Sequence, residues 1–148
     1  MINNSTRPTL DELQAHLLRS SFHQLFNPQV IAVDHQQLTL VVKAHMSDAL
    51  ERQPDTNQWH GGAIAALVDT VGCYALTLLG AEPLPTINFR TDYLRPAIKT
   101  NLVATAVVRQ AGNSIGVVDV DINNDADKLV ALGRGCYSMI PFNQAVTE

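Results

Sequence analysis

From Gly61 to Leu79 the chain carries one charged side chain, Asp69, among small, aliphatic, hydroxyl-bearing and aromatic residues. A helix that apolar on all sides must be covered all round, by a protein core or by lipid. A carboxylate in its middle is costly unless something satisfies or uses it. As a membrane span the stretch is poor. Residues 63–79 would reach only about 25 Å as a helix, Asp69 sits near their centre, and neither end is flanked by clustered Lys or Arg. The expectation is a buried core helix and no membrane partner.

With 148 residues and 46% hydrophobic content the expectation is one domain. Residues 1–29 would supply an N-terminal helix and loop, 30–140 the core, and 141–148 a tail. The net charge of −4 argues against a nucleic-acid partner, whose footprint is basic. Cys73 and Cys136 lie far apart in apolar surroundings, with no metal-ligand spacing. They are expected to be reduced buried thiols in a cytoplasmic protein, with no metal site. The polar first residues show no secretory leader.

Thr9 and Glu12 have the spacing of a capping box, and Leu10, Leu13, Leu17 and Leu18 follow at helical spacing, so residues 10–20 read as an amphipathic helix. Phe22 to Pro28 reads as a loop whose Phe22 and Phe26 pack. Residues 30–33 and 38–44 read as two strands. Residues 45–58 form a loop long enough to be functional. Gly80, Pro83 and Pro85 stop the helix. Strands are then expected over 86–94, 101–110, 115–123 and 128–140, as an antiparallel meander. In the first of these, Ile87, Phe89 and Tyr93 alternate with Asn88, Arg90 and Asp92. A helix apolar on every side cannot lie on a flat sheet with one face in water. The sheet must curl around it, or a second copy must cover its exposed side, and both are expected.

The start of the helix is Trp59-His60-Gly61-Gly62. Two glycines there are locally unfavourable, which suits a backbone that something approaches closely. The first amides of a helix lack intrahelical partners and favour negative charge, so Gly61 and Gly62 are candidate donors to a developing oxyanion. A purely steric reason for the glycines is equally open. Asp69 lies nine residues beyond His60, about 13–14 Å along the axis and on the opposite side of the helix. It cannot serve its own helix start. If both features serve one reaction, a second copy must supply one of them, and a two-fold dimer would then hold two equivalent sites.

His60-Gly61-Gly62-Ala63-Ile64-Ala65-Ala66-Leu67-Val68-Asp69 resembles the HGGxxxxLxD signature of hotdog-fold acyl-CoA thioesterases of the phenylacetate-pathway type. Tyr93-Leu94-Arg95-Pro96-Ala97 resembles that family's strand-ending motif. The likeness spans about residues 30–140. It implies an α+β hotdog fold, an antiparallel sheet wrapped around one long buried helix, in a homodimer or homotetramer. It implies hydrolysis of acyl-CoA thioesters without a cofactor, coenzyme A being part of the substrate. Gly61 or Gly62 would polarise the thioester carbonyl, and His60 would help place it. Asp69 of a neighbouring subunit would act as general base or nucleophile. Thr86, ten residues before Pro96, falls where the family often has a hydroxyl residue orienting water or carboxylate. One departure is Pro54, where many members have Asn six residues before the His; Asn57 and Gln58 are the nearest substitutes. Another is Lys99-Thr100-Asn101, where a Gly is common. Between Thr86 and Gln110, Arg90, Arg95, Lys99 and Arg109 stand against only Asp92, a local excess of three positive charges that reads as a solvated strand face or as a contact to the coenzyme A phosphates; Arg95 is the first choice because it belongs to the motif, and Arg90 is a second. The same fold without turnover, a binding protein for acyl-CoA or fatty acyl groups, is the alternative.

Overall fold

Thr9 starts the first helix as the spacing requires. Its hydroxyl accepts from the Glu12 N–H while the Glu12 carboxylate accepts from the Thr9 N–H. The computed structural model describes residues 7–140, so the expected 141–148 tail lies outside the described residues. Helix α1 runs Leu10–Leu17, shorter than expected, burying Leu13 and Leu17. A second short helix, α2 (Ser21–Gln24), capped by the Ser20 hydroxyl, replaces part of the expected loop. Strands β1 (Gln29–Asp34) and β2 (Thr39–Ala44) form a hairpin. Its turn is held by the Asp34 carboxylate, which accepts from the N–H groups of Gln36 and Gln37. A 3₁₀ turn follows at Asp48–Leu50.

Helix α3 spans Gly61–Leu76, tightens to a 3₁₀ turn over Thr77–Leu79, and ends at Gly80 in the left-handed conformation. The remaining strands are β3 (Thr86–Tyr93), β4 (Leu102–Ala111), β5 (Ile115–Asn124) and β6 (Leu129–Ser138). All six strands make one antiparallel sheet in the order β1-β2-β4-β5-β6-β3. The expected meander is therefore only β4-β5-β6. Strand β3 crosses to the far edge and pairs with β6.

The inner face of the sheet carries the alternation read from the sequence. Val118, Val120 and Ile122 of β5 are fully buried, as are Ala104 and Ala106 of β4. Against them α3 packs Ile64, Leu67, Val68 and Val71, each contributing about 1.5–3 kcal/mol on burial. Glycines let helix and sheet touch. A methyl group at Gly133 would strike Val68, and one at Gly72 would overlap the Tyr137 hydroxyl. This is the hotdog arrangement, a helix in a curled antiparallel sheet. The stretch Gly61–Leu79 is long and apolar enough to span a bilayer, but here it is the core helix.

The curled sheet leaves one side of α3 uncovered. There Gly62, Ala65, Ala66, Asp69, Thr70 and Cys73 form a stripe that stays partly or fully exposed among the described residues. One expectation needs correction: β3 does not alternate throughout. A bulge between Thr86 and Asn88 shifts its register against β6. Phe89 and Tyr93 lie opposite Gly135 and Ala131 on the inner face, yet Thr86, across the bulge, lies opposite the buried Tyr137. Ile87 is the extra residue and is 53% exposed.

Candidate active site

The segment before α3 is pinned to the strand-end motif. Trp59 is buried; its N–H donates to Ala97 O at 2.9 Å and its indole N–H to Thr100 O at 2.9 Å. His60 N–H donates to Leu50 O at 2.8 Å. Tyr93 closes the joint, its hydroxyl donating to Gly61 O at 2.5 Å. Partial burial pushes the Tyr93 phenol above its ordinary range, which keeps it a neutral donor. The two sequence motifs are thus one assembly within a single chain.

His60 is the N-cap of α3, with extended φ −66° and ψ 134°. Its Nδ1 accepts from Gly62 N–H at 2.8 Å. That bond separates the two glycines. The Gly62 amide is occupied, and a methyl there would sit 3.0 Å from His60 Nδ1, so Gly62 has a steric reason to be glycine. The Gly61 amide finds no acceptor among the described residues. A methyl at Gly61 would meet only the Tyr93 ring, at 3.5 Å, an ordinary contact. Nothing in its own chain requires Gly61 to be bare. With Nδ1 accepting, a neutral His60 carries its proton on Nε2, on an exposed ring.

Asp69 lies about 12 Å further along the axis than Gly61. The Thr86 hydroxyl donates to Asp69 Oδ1 at 2.8 Å. Asp69 has no ion-pair partner among the described residues, and its second carboxylate oxygen accepts no hydrogen bond from them. The Tyr137 hydroxyl donates to the Asp69 backbone O at 3.0 Å. Burial, then the Asp69 charge, drives the Tyr137 phenol strongly upward, so it remains a neutral donor. One turn on, Cys73 is pushed up to about 11, chiefly by burial. Its thiol donates to Leu84 O at 3.2 Å, an inert structural contact.

The substrate-binding candidates divide. Arg95 is exposed beside the joined motifs and makes no ion pair among the described residues. Arg90 is paired with Asp92 at 2.8 Å on the outer face of the sheet, and Arg109 shares Asp119 with Arg134. Arg90 and Arg109 are thereby occupied, whereas Arg95 and Lys99 make no ion pair among the described residues. Asn57 is turned away from the helix start. It lines a separate cleft with Met46, Lys99, Thr100 and Asn101, and its O accepts from Lys99 N–H. Gln58 bridges to Ile98. The loop carrying Pro54 folds over the Glu51 carboxylate, which accepts from the N–H groups of Asp55 and Asn57. Sequence reading missed Tyr137 altogether, because an aromatic near a strand end gives no signal. Tyr93 stands out in the sequence only as an alternating strand residue and the first residue of a motif.

A family model described as the thioesterase superfamily matches residues 57–131, which include the joined motifs, Asp69 and Thr86. The acyl-coenzyme A thioesterase PaaI of Escherichia coli is 40% identical over 77 residues, covering 51% of this chain and 54% of PaaI. The medium/long-chain acyl-CoA thioesterase YigI of Escherichia coli is 30% identical over 93 residues, covering 53% of this chain and 60% of YigI. The chain thus spans about half to three-fifths of these curated relatives in length. The solved structure of the Escherichia coli PaaI protein superimposes with a TM-score of 0.73 and 28% identity, over 89% of this chain and 96% of that one.

Proposed function

The chain belongs to the thioesterase superfamily, and from that membership we propose that it hydrolyses acyl-CoA thioesters at two equivalent sites of a homodimer. The observation that carries the reading is the unequal state of the two glycine amides. Gly62 N–H is spent on His60, while Gly61 N–H is free at the helix start with a bare flank beside it. A thioester carbonyl held there gains a donor and the positive end of the helix dipole just as its oxygen becomes negative.

Two features support a shared site. Within the partly exposed stripe of α3, the midpoint between Gly62 and Asp69 is Ala65-Ala66, residues small enough for close approach. A second α3 crossing antiparallel about that midpoint would set each helix start against the partner's Asp69. Among the described residues the sheet edge at β3 is unpaired, and it exposes Ile87 and Phe89. Such an edge favours pairing with a second copy.

In the reaction, Asp69 takes a proton from water while the water oxygen bonds to the thioester carbon, so the carbonyl becomes an oxyanion on Gly61 N–H. Collapse of that intermediate breaks the C–S bond. The thiolate of coenzyme A leaves and takes the proton that Asp69 holds, which returns Asp69 to its carboxylate, and the free acid is released. Thr86 holds one oxygen of Asp69, leaving the other to face water. The exposed Nε2–H of His60 can donate to the substrate, and Arg95, which makes no ion pair among the described residues, is available to a phosphate. The scheme asks for no cofactor, and we place the protein in the cytoplasm.

The test is thiol release from a panel of acyl-CoA esters, followed by subunit mixing. Proline is accepted at the first helical position, where Gly61 sits, and it lacks the N–H. Gly61→Pro and Asp69→Asn should each be inactive alone. Refolded together, they should regain activity, because a mixed dimer keeps one site with both parts intact. No regain on mixing would exclude the shared site. A second reading, binding without turnover, is favoured by Pro54, since the usual amide side chain is missing. Coenzyme A ester binding with no thiol release across the panel would select it.

A further inference from the structure

Beside the helix start lies a cleft of about 320 Å³ whose exposed lining is mainly apolar. Its walls come from three parts of the chain: Phe22, Leu25 and Phe26 around α2, Leu50 from the 3₁₀ turn, and His60 with Gly62 at α3. Phe26 is buried, but Phe22 and Leu25 are 52% and 42% exposed. Phe22 therefore does not simply pack, as its loop position suggests; it stands edge-on against Phe26, with ring centroids 5.6 Å apart, facing open space. The one acidic residue at the rim, Glu51, is occupied by the backbone N–H groups of Asp55 and Asn57.

This apolar wall is held in place. His23 Nδ1 lies 3.0 Å from Leu17 O, and the Gln24 side chain donates to Leu18 O at 2.8 Å, fixing α2 to the end of α1. His45 N–H donates to Phe26 O at 2.7 Å. A short helix with two exposed apolar side chains would ordinarily turn them inward. Here the polar contacts at His23, Gln24 and Phe26 keep them facing the cleft.

We propose that this cleft receives the acyl group of the thioester, and that Phe22 and Leu25 set its preferred size. The inference rests on the thioesterase reading, because His60 and Gly62 belong both to the cleft wall and to the helix start. A carbonyl at Gly61 N–H projects its acyl end toward the mouth of the cleft, while coenzyme A leaves on the other side toward Arg95. A methylene group takes about the share of volume of a water molecule, roughly 30 Å³, so the space holds on the order of eight to ten carbons. The substrate class is an apolar acyl group of medium length.

The experiment measures kcat/KM for acetyl-, butyryl-, octanoyl- and palmitoyl-CoA with the wild type, Phe22→Ala, Leu25→Ala and the cleft-filling Ala49→Phe. Binding of the same esters by calorimetry runs alongside. Wild type should prefer octanoyl-CoA. Phe22→Ala and Leu25→Ala should lose roughly tenfold or more on octanoyl-CoA and little on acetyl-CoA. Ala49→Phe should move the optimum to the shorter esters. Equal losses on every ester, or a change of oligomeric state with the chain-length profile intact, would overturn the proposal. In the second case a second copy covers the cleft. If no ester is hydrolysed, the thioesterase reading fails on its own. The acyl cleft then stands if wild-type binding still peaks at octanoyl-CoA and Phe22→Ala removes the peak, and it falls if binding is independent of chain length.

Discussion

The Thr86 hydroxyl donates to Asp69 Oδ1 at 2.8 Å, and it does so because β3 slips by one residue beside it. Without the bulge, the parity that turns Phe89 and Tyr93 inward would turn Thr86 outward and Ile87 toward Asp69. The carboxylate would then keep its charge and lose its only side-chain donor among the described residues.

Asp69→Asn should therefore cut thiol release by about 10²–10⁴, the usual range for a general base. The fold should survive, because an amide oxygen still accepts from Thr86. Thr86→Ala removes a bond to a charged group, roughly 1.5–3 kcal/mol, or about ten- to a hundredfold if the bond acts in the transition state. Thr86→Ser should restore most of the rate. If Thr86→Ala and Thr86→Ser turn over alike, the hydroxyl does not orient Asp69.

The two glycines should separate stability from activity in opposite ways. Gly62→Ala crowds the His60 cap and should lower the melting temperature. Gly61→Ala meets only an ordinary contact with Tyr93, and it gains up to about 1 kcal/mol from reduced backbone freedom. It should be as stable as wild type or more so, yet slower, because the methyl fills the flank where the thioester is proposed to lie. Thermal denaturation and thiol release on the same two variants check both halves.

Gly72 and Tyr137 should couple. A methyl at Gly72 overlaps the Tyr137 hydroxyl, so Gly72→Ala should cost about 1–3 kcal/mol. Tyr137→Phe loses the bond to the Asp69 backbone, about 1 kcal/mol. The double variant should be more stable than the sum of the two losses, since the second change removes the atom that the first one strikes. Strict additivity in urea unfolding would refute the close packing of α3 on β6.

Asp119 should contribute to acid stability with a definite sign. The bond from Arg134, then the bond from Arg109, holds its carboxyl below the usual range. A lowered pKa means stability present above the unfolded value of about 3.9 and lost as pH falls through the folded one. The arginines are largely exposed, so the gain is screened to below about 1 kcal/mol. The gap in urea midpoint between wild type and Asp119→Asn should be flat from about pH 7 to 5 and close below about pH 4.

Much of this was legible in the chain. The capping box at Thr9, the alternation of Val118, Val120 and Ile122, and the lone charge of Asp69 are local patterns, and local patterns carry local structure. The position of β3 was not legible, because pairing with β6 depends on contacts far apart in sequence. Nor was the bulge at Ile87, since an apolar residue reads the same inside a strand and in its defect. The division of labour between Gly61 and Gly62 depended on which amide His60 Nδ1 takes, which is a matter of one rotamer. Phe22 reads as a packing residue because apolarity alone does not say whether protein or ligand will cover it.

The unbroken helix between Gly61 and Asp69 also governs how this protein can change. Each inserted residue would turn Asp69 by about 100° and carry it about 1.5 Å along the axis. One insertion would swing the carboxylate away from Thr86 and out of the partly exposed stripe. Substitutions at Ala65 or Ala66 alter only what the stripe touches, whereas a change in residue number alters where both sites are. Between Gly61 and Asp69 the number of residues is therefore fixed by the helix, and only their kind is free to change.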